Sequence, residues 1–447
     1  MQRTLLIKSL LLVVLGLLLT LPLGMIERTV AERSGYRDEA VLAIAANSAG
    51  RQLLTGPVLA IPVEEEYDDE IVSGKDDEKA IRFVRRKRMR TLTMLPKQLR
   101  MNGGLKAERR AYGIHSAAVY QMHVVLNGSF DPPSEADLPA RGRNSVLSWG
   151  RPRLVLGISD VRGLASEPKL RAGDVDLASV RGTQPTSLKS GFHADLPAAG
   201  QPMKALPFSV EFDLVGTESF AMVPLADITD AELHGNWPDP SFGGGFLPRE
   251  RQVDRQGFQA HWTISALAAN VQRETLGSQP DGELATFSVR LIDPVDIYRQ
   301  ALRAVKHGAL FVVVIFAAFF AIEIIAALPI HPIQYLLVGL ALALFFLLLL
   351  SLSEHMAFAW AYLAAAIGSI LLVVAYLAAV LRGLHRAAGV GGALFLLYGA
   401  LFGVLQSEQN ALLLGSLLLF AILAALMLGT RRVDWYRVGL PRAEERT

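Results

Sequence analysis

Residues 331 to 355 read HPIQYLLVGLALALFFLLLLSLSEH, and no charged residue lies between His331-Pro332 and Ser353-Glu354-His355. A helix of that length, rising about 1.5 Å per residue, covers the ~30 Å hydrocarbon core of a bilayer. Inside lipid every backbone N–H and C=O must be satisfied within the segment, so the run has to be a helix. The chain is therefore a membrane protein, and the question becomes how many other segments follow the same rule.

The N-terminal run LLIKSLLLVVLGLLLTLPLG, with Arg3 and Lys8 at its start, is longer than a signal-peptide core and no A-x-A-like site follows Pro22. It reads as an uncleaved anchor over residues 1–24, with Lys8 snorkelling toward the headgroups. Four more spans join the leucine run at roughly 309–328, 357–381, 390–405 and 411–429, making six crossings. Mean hydropathy is +0.33. The apolar residues that raise it lie before Met25 and after Gly308. Between them the composition is that of an ordinary water-soluble domain.

Basic residues set the orientation. Arg382 and Arg386 lie in one short loop and Arg431, Arg432 and Arg437 follow the last span, whereas SLSEH and QSEQN on the alternate side carry no Lys or Arg. Both termini are then expected in the cytoplasm. Arg303 and Lys306 argue the other way, but large translocated domains escape this rule. The expected organisation is an anchor at 1–24, a periplasmic β-rich domain at 25–306, a five-helix domain at 307–430 and a basic cytoplasmic tail at 431–447. The fold class is a polytopic α-helical membrane protein with a large β-rich α+β periplasmic domain.

Strand patterns support the β assignment. FSVEFDL alternates Phe208, Val210, Phe212 and Leu214 with polar neighbours, YQMHVVL does so with Tyr120, Met122, Val124 and Leu126, and TFSVRL with Phe287, Val289 and Leu291. These read as half-buried, antiparallel strands closed by Gly/Pro-rich turns. Residues 26 to about 54 are charged and Pro-free, and read as a continuation of the first span. PVDIYRQALRAVKHG, residues 294 to 308, is amphipathic, with Val295, Tyr298, Leu302 and Val305 on one face.

Several chemistries are excluded and a few residues stand out. The absence of cysteine removes disulfides, thiol nucleophiles and Cys-ligated metals, and a net charge of +2 gives no field for nucleic acid. His115, His123, His234 and His261 have no ligand spacing, there is no H-E-x-x-H or G-x-S-x-G, and the glycines at 243–245 lack a following Lys-Ser/Thr. No cofactor or metal is implied. The acidic block 64–70 and basic block 82–90 nearly cancel, as expected of a hairpin turning near Ser73-Gly74 with opposite charges facing.

The loop NWPDPSFGGGFLPRER at 236–251 offers Trp237, Phe242 and Phe246 either to a membrane interface or partner, or to the underside of the sheet. Glu323, in FVVVIFAAFFAIEIIAALPI, lines an ion path, or else snorkels or hydrogen-bonds within the short hairpin at Pro329-Pro332 that leads to the next span. His331, Glu354 and His355 complete the candidates; the first precedes a helix-starting proline and the other two form a water-side stop, with a sensing or proton-exchange role as the alternative.

The segments GPVLAIPV (56–63), YGIHSAAVY (112–120), GISDVRG (157–163), WPDPSFGGGFLP (237–248), GFQAHW (257–262), DPVDIYRQALRAVKHG (293–308), HPIQYLLVGLALALFFLLLLSLSEH and ALLLGSLLLF (411–420) occur in this order. The chain resembles the bacterial inner-membrane CreD family, the cell envelope integrity family, along nearly its whole length. The resemblance implies an inner-membrane protein tied to envelope integrity and stress responses under two-component control. It carries no catalytic residue onto this chain. The expected function is non-enzymatic, with membrane lipids and envelope proteins or cell-wall components as partners and no nucleic acid. A transporter or channel using Glu323 is the alternative.

Overall fold

A computed structural model describes residues 2–73, 80–133, 137, 141–184, 186, 188–197, 205–265, 284–292, 297–326, 330–380, 383–406 and 411–431. The chain divides into two units, Met1–Arg37 with Val295–Thr447, and Asp38–Pro294.

The helical unit begins with α1 (Gln2–Asn47), which carries Pro22 inside it. The helix does not stop where the apolar composition stops, at Gly24. Residues beyond it are rich in Ala, Glu and Arg, which hold a helix as well as leucine does. Nor does it reach Leu54, because Ser48-Ala49-Gly50 ends it and the next strand begins at Gln52.

The C-terminal helices are α2 (Ile297–Lys306), α3 (Gly308–Ala326), α4 (Pro332–Ser353), α5 (Phe358–Val380), α6 (Leu384–Gln406) and α7 (Ala411–Thr430). Among the described residues, five stretches are long and apolar enough to cross a membrane: Ile7–Asn47, Ile297–Phe320, Pro332–Ser353, Phe358–Val380 and Ala387–Gln406; Leu413–Ala424 within α7 is shorter. The amphipathic segment α2 therefore runs straight into the apolar α3, with a single turn residue at His307. Pro329, Arg382, Arg432, Arg437 and residues 407–410 lie outside the described residues.

This unit packs through rings and internally satisfied hydroxyls. Phe311, Phe319, Tyr335, Phe345 and Phe346 are fully buried, and the Phe345 and Tyr398 ring centroids are 4.4 Å apart. The Tyr362 hydroxyl donates to the Tyr398 carbonyl at 2.6 Å, and the Tyr398 hydroxyl meets Ser369 Oγ at 3.0 Å. Polar atoms at this depth have no water to turn to, so they pair across helices.

The second unit is built on two sheets. In one, β14 (Pro240–Gly244), β17 (Phe287–Leu291), β12 (Ser219–Val223), β1 (Gln52–Ser73), β6 (Arg153–Ile158), β10 (Gly191–Asp195) and β9 (Val180–Arg181) are neighbours in that order. There β2 (Ala80–Met94) and β5 (Arg143–Trp149) also pair with the long β1. The other sheet runs β15 (Glu250–Val253), β16 (Phe258–Ser265), β13 (Ile228–Gly235), β3 (Gln98–Tyr112), β4 (His115–Phe130), β11 (Leu206–Thr217), β7 (Lys169–Ala172), β8 (Val175–Leu177).

The alternating residues read from the sequence form the core between these sheets. Phe208, Val210, Phe212, Leu214, Tyr120, Met122, Val124, Leu126, Phe287, Val289 and Leu291 are all buried. Rings meet across the two layers: Phe192 and Phe212 lie 5.9 Å apart edge to face, and Trp262 and Phe287 lie 5.1 Å apart. Each such side chain removed from water contributes about 1.5–3 kcal/mol. Not every pairing is antiparallel as expected. β1 with β12 and β13 with β3 are parallel, because each joins strands distant in sequence, which no short turn constrains.

The charged blocks form a hairpin. β1 and β2 pair from Leu59↔Met94 to Ser73↔Ala80, which sets Lys87 beside Glu64 and Glu66, Arg85 beside Asp68, and Arg86 beside Asp69. Cross-strand opposition of unlike charges is what the sequence blocks encode. Residues 74–79, including the Gly74 of the expected turn, lie outside the described residues.

Candidate functional site

Glu323 is on α3, close to where that helix gives way to the segment leading into α4. It does not stand alone in the apolar helix. Lys8 of α1 pairs with its Oε1, and the Tyr335 hydroxyl donates to its Oε2 at 2.8 Å. Lys8 also donates to the Ile330 carbonyl at 2.8 Å. Phe316 and Phe319 pack on Tyr335, with centroids 5.5 and 5.8 Å away, closing the apolar side. A lone carboxylate or ammonium at this position would be costly in lipid. Each offsets the other, and the tyrosine hydroxyl fills a remaining carboxylate lone pair.

His331, one residue before Pro332, caps α4. Its Nδ1 accepts from the Ile333 N–H at 3.3 Å, while its own N–H donates to Gln334 Oε1 at 3.0 Å. This is a capping box with histidine in the place usually held by Ser or Thr, and Pro332 sits at the first helical position, where its missing N–H is harmless. The cap requires Nδ1 to be unprotonated.

At the far end of α4, Glu354 is the C-cap and its side chain is 9% exposed. The Tyr298 hydroxyl of α2 donates to Glu354 Oε1 at 3.2 Å, and Arg33 Nε of α1 lies 3.8 Å from the same oxygen. His355 turns away, donating from Nδ1 to the Ser351 carbonyl at 3.1 Å. So Glu323 and Glu354 belong to two clusters at opposite ends of α4, and His331 and His355 serve the helix termini.

Trp237, Phe242 and Phe246 are in the β unit. Trp237 is buried, its Nε1–H donating to the Ile292 carbonyl at 2.8 Å, with the Arg109 guanidinium 5.3 Å from its ring. Phe242 meets Phe258 and Trp262 edge to face at 5.8 Å each, and the Phe246 carbonyl accepts from Trp262 Nε1 at 3.3 Å. The segment 236–251 is thus no long loop: β14 and β15 are carved from it, and its aromatics pack inward.

Elsewhere in the β unit, His123 Nδ1 lies 2.8 Å from Asp213 Oδ1 and the Ser166 hydroxyl donates to Asp213 Oδ2 at 3.2 Å. The carboxylate stands between serine and histidine, whereas nucleophilic activation needs the imidazole between them. A cleft of about 810 Å³ opens beside it, walled by Val161, Leu164, Val180 and Phe192. Arg162 at its rim is already engaged by Asp160, at 2.9 and 2.6 Å, and by the Ala46 carbonyl at 2.9 Å. That contact holds the Asp160 carboxyl down at about 2. Among the described residues no three of His, Asp and Glu gather as metal ligands do.

The sequence singled out Glu323 and Glu354 but not their partners. Lys8 reads from sequence as snorkelling and Tyr298 only as part of an amphipathic face; a bond from Glu323 to the next span is foreseen without Tyr335 being named, and Arg33 is not singled out. An unpaired cation in one apolar run and an anion in another is the one signal that could have joined Lys8 to Glu323.

Several membrane-length helices with internally neutralised charges, together with a large two-sheet unit between the first of them and the rest, define a multi-pass membrane protein. The chain belongs to the family of the inner membrane protein CreD, whose family model matches residues 4–436. It is 36% identical over 428 residues to the inner membrane protein CreD of Escherichia coli strain K12, covering 95% of this chain and 92% of that protein. Solved structures give only faint likenesses. A candidate nutrient binding protein from Legionella pneumophila aligns with 48% of this chain and 82% of its own at 12% identity and a TM-score of 0.21. An M1 zinc metallopeptidase variant from Deinococcus radiodurans aligns with 44% of this chain and 42% of its own at 8% identity and a TM-score of 0.23. Scores this low carry nothing about fold or chemistry.

Proposed function

We propose that this chain crosses the inner membrane six times with both termini in the cytoplasm, holds residues 25–306 in the periplasm, and serves envelope integrity and the envelope stress response without catalysis. Its β-rich domain contacts envelope proteins or cell-wall components, and its helices contact lipid. The observation that carries the layout is the meeting of Arg33 and Tyr298 at Glu354. Those two residues flank the β-rich insert in sequence, so the polypeptide leaves and re-enters the helical unit at one end, while Lys8 and Glu323 meet at the other. The family supplies the inner membrane as the location.

The alternative of a transporter or channel draws on the same Glu323. Its engagement by Lys8 and Tyr335 favours an anchoring role for that carboxylate.

The test is a photo-crosslinking amino acid placed at exposed positions of the β domain, such as Tyr112 and Leu247, in the full-length protein in living bacteria. Discrete adducts with a periplasmic protein or with peptidoglycan fragments are expected. If no position yields an adduct and a chain lacking the β domain still restores envelope integrity, the proposal is wrong.

A further inference from the structure

The two clusters of the helical unit share one composition. Each has a cation from α1, a carboxylate from the C-terminal helices and a tyrosine hydroxyl, also from those helices, donating to that carboxylate: Lys8, Glu323 and Tyr335 in one, Arg33, Glu354 and Tyr298 in the other. On α1 the interval from Lys8 to Arg33 spans about 38 Å at ~1.5 Å per residue. That exceeds the ~30 Å hydrocarbon core by about the depth of a headgroup layer. The clusters therefore lie at the two edges of the apolar slab. Between them the contact is close and apolar: a Cβ added at Gly339 of α4 would come within 2.1 Å of a Leu19 methyl, and Leu19 is fully buried.

We propose that these clusters form a two-point charge lock through which the C-terminal helices recognise α1 and seat it at a single depth. Apolar packing alone does not fix that depth, because lipid tails compete equally for a leucine surface and a helix can slide with little change in buried area. Two cations at one spacing, facing two carboxylates at the matching spacing, do fix it. Sliding it by one turn would leave both ammonium and guanidinium unpaired at the slab edges.

The lock also has a temporal side. Lys8 enters the membrane more than 300 residues before its partner is synthesised. Until Glu323 arrives, α1 carries an unneutralised charge, and an incompletely made chain is marked by it. The proposal concerns contacts within the helical unit and stands or falls separately from the periplasmic assignment.

The chain has no cysteine, so docking can be read directly in full-length protein in native membranes carrying Leu19→Cys and Gly339→Cys. In this background Lys8→Glu and Glu323→Lys are made singly and together, and likewise Arg33→Glu and Glu354→Arg. Each single reversal should lower disulfide yield and shorten the protein's lifetime several-fold, each paired exchange should restore both, and Lys8→Arg should behave as the parent. Tyr335→Phe, which leaves every charge in place, keeps the test informative if the reversals fail to accumulate: it should lower yield less than any reversal. Single reversals that crosslink and persist like the parent, or paired exchanges no better than the singles, would overturn the lock.

Discussion

The Glu65 carboxylate, 1% exposed, receives the Arg88 Nε–H at 2.6 Å from the paired strand. Arg90 lies 3.6 Å from the same oxygen, and the Gly142 N–H donates to the other at 2.7 Å. Arg88 also stacks 4.4 Å from the Tyr67 ring centroid. In a hairpin whose other charges face water, this one is turned into the three-stranded junction of β2, β1 and β5. Glu65→Gln keeps the shape and removes the charge. It should destabilise the protein by about 1.5–3 kcal/mol, whereas Glu70→Gln at the hairpin's exposed end should change stability by less than about 0.5 kcal/mol. Thermal unfolding of the purified full-length chain distinguishes them.

Stability should fall in acid, with a sign set by these carboxylates. The Arg88 hydrogen bond first, then the Gly142 N–H and the two guanidinium charges, hold Glu65 below its usual range against the opposing effect of burial. Arg162 holds Asp160 at about 2. A carboxyl whose folded value is depressed adds stability that is complete above its unfolded value and disappears as the pH falls through the folded one. For Asp160 that window runs from about 4 down to about 2. Asp160→Asn should flatten the unfolding midpoint over this window; an unchanged slope would contradict the assignment.

Trp237 separates the core reading of the aromatic segment from a docking one. Trp237→Ala removes a buried indole and the hydrogen bond to Ile292, and should destabilise the β unit by about 3–5 kcal/mol. Leu247, 70% exposed, should accept Ser with little effect. Equal, small effects on stability from both would point to a surface role for the tryptophan.

Gly191 opens β10 with φ of +145°, and a Cβ there would lie 2.0 Å from the Leu156 carbonyl oxygen of β6. The neighbour is backbone held in a sheet ladder, so it has nowhere to go. Gly191→Ala should therefore split β10 from β6 and lower the yield of folded protein, measured as protease resistance. Gly173→Ala, also at positive φ but in open space, should be milder.

The proposed orientation is checked with single cysteines in this cysteine-free chain. Arg251→Cys, exposed on β15, should react with an impermeant maleimide on intact spheroplasts, and Arg431→Cys, after α7, only after lysis. The reverse pattern would invert the topology.

The three alternating segments were legible because a strand with one face in the core writes its burial in a period of two, and all eleven residues read that way are buried. The leucine run was legible for a similar reason: lipid admits only a helix, and its bounds, Pro332 and Ser353, were marked by a proline and a charge. Local chemistry left other things open. Trp237, Phe242 and Phe246 look the same whether they face a membrane or a sheet, and only the packing of β14 against β17 and of Trp262 against Phe242 decided.

By itself the sequence determined that lipid surrounds several helices here and that an alternating, charge-bearing stretch folds as sheet, because transfer free energy and side-chain period act on neighbouring residues. Tertiary structure alone decided that Lys8 meets Glu323 and that Arg33 meets Glu354. Those partners lie more than 300 residues apart, and electrostatic attraction in a low-dielectric medium depends on distance through space, which no reading along the chain supplies.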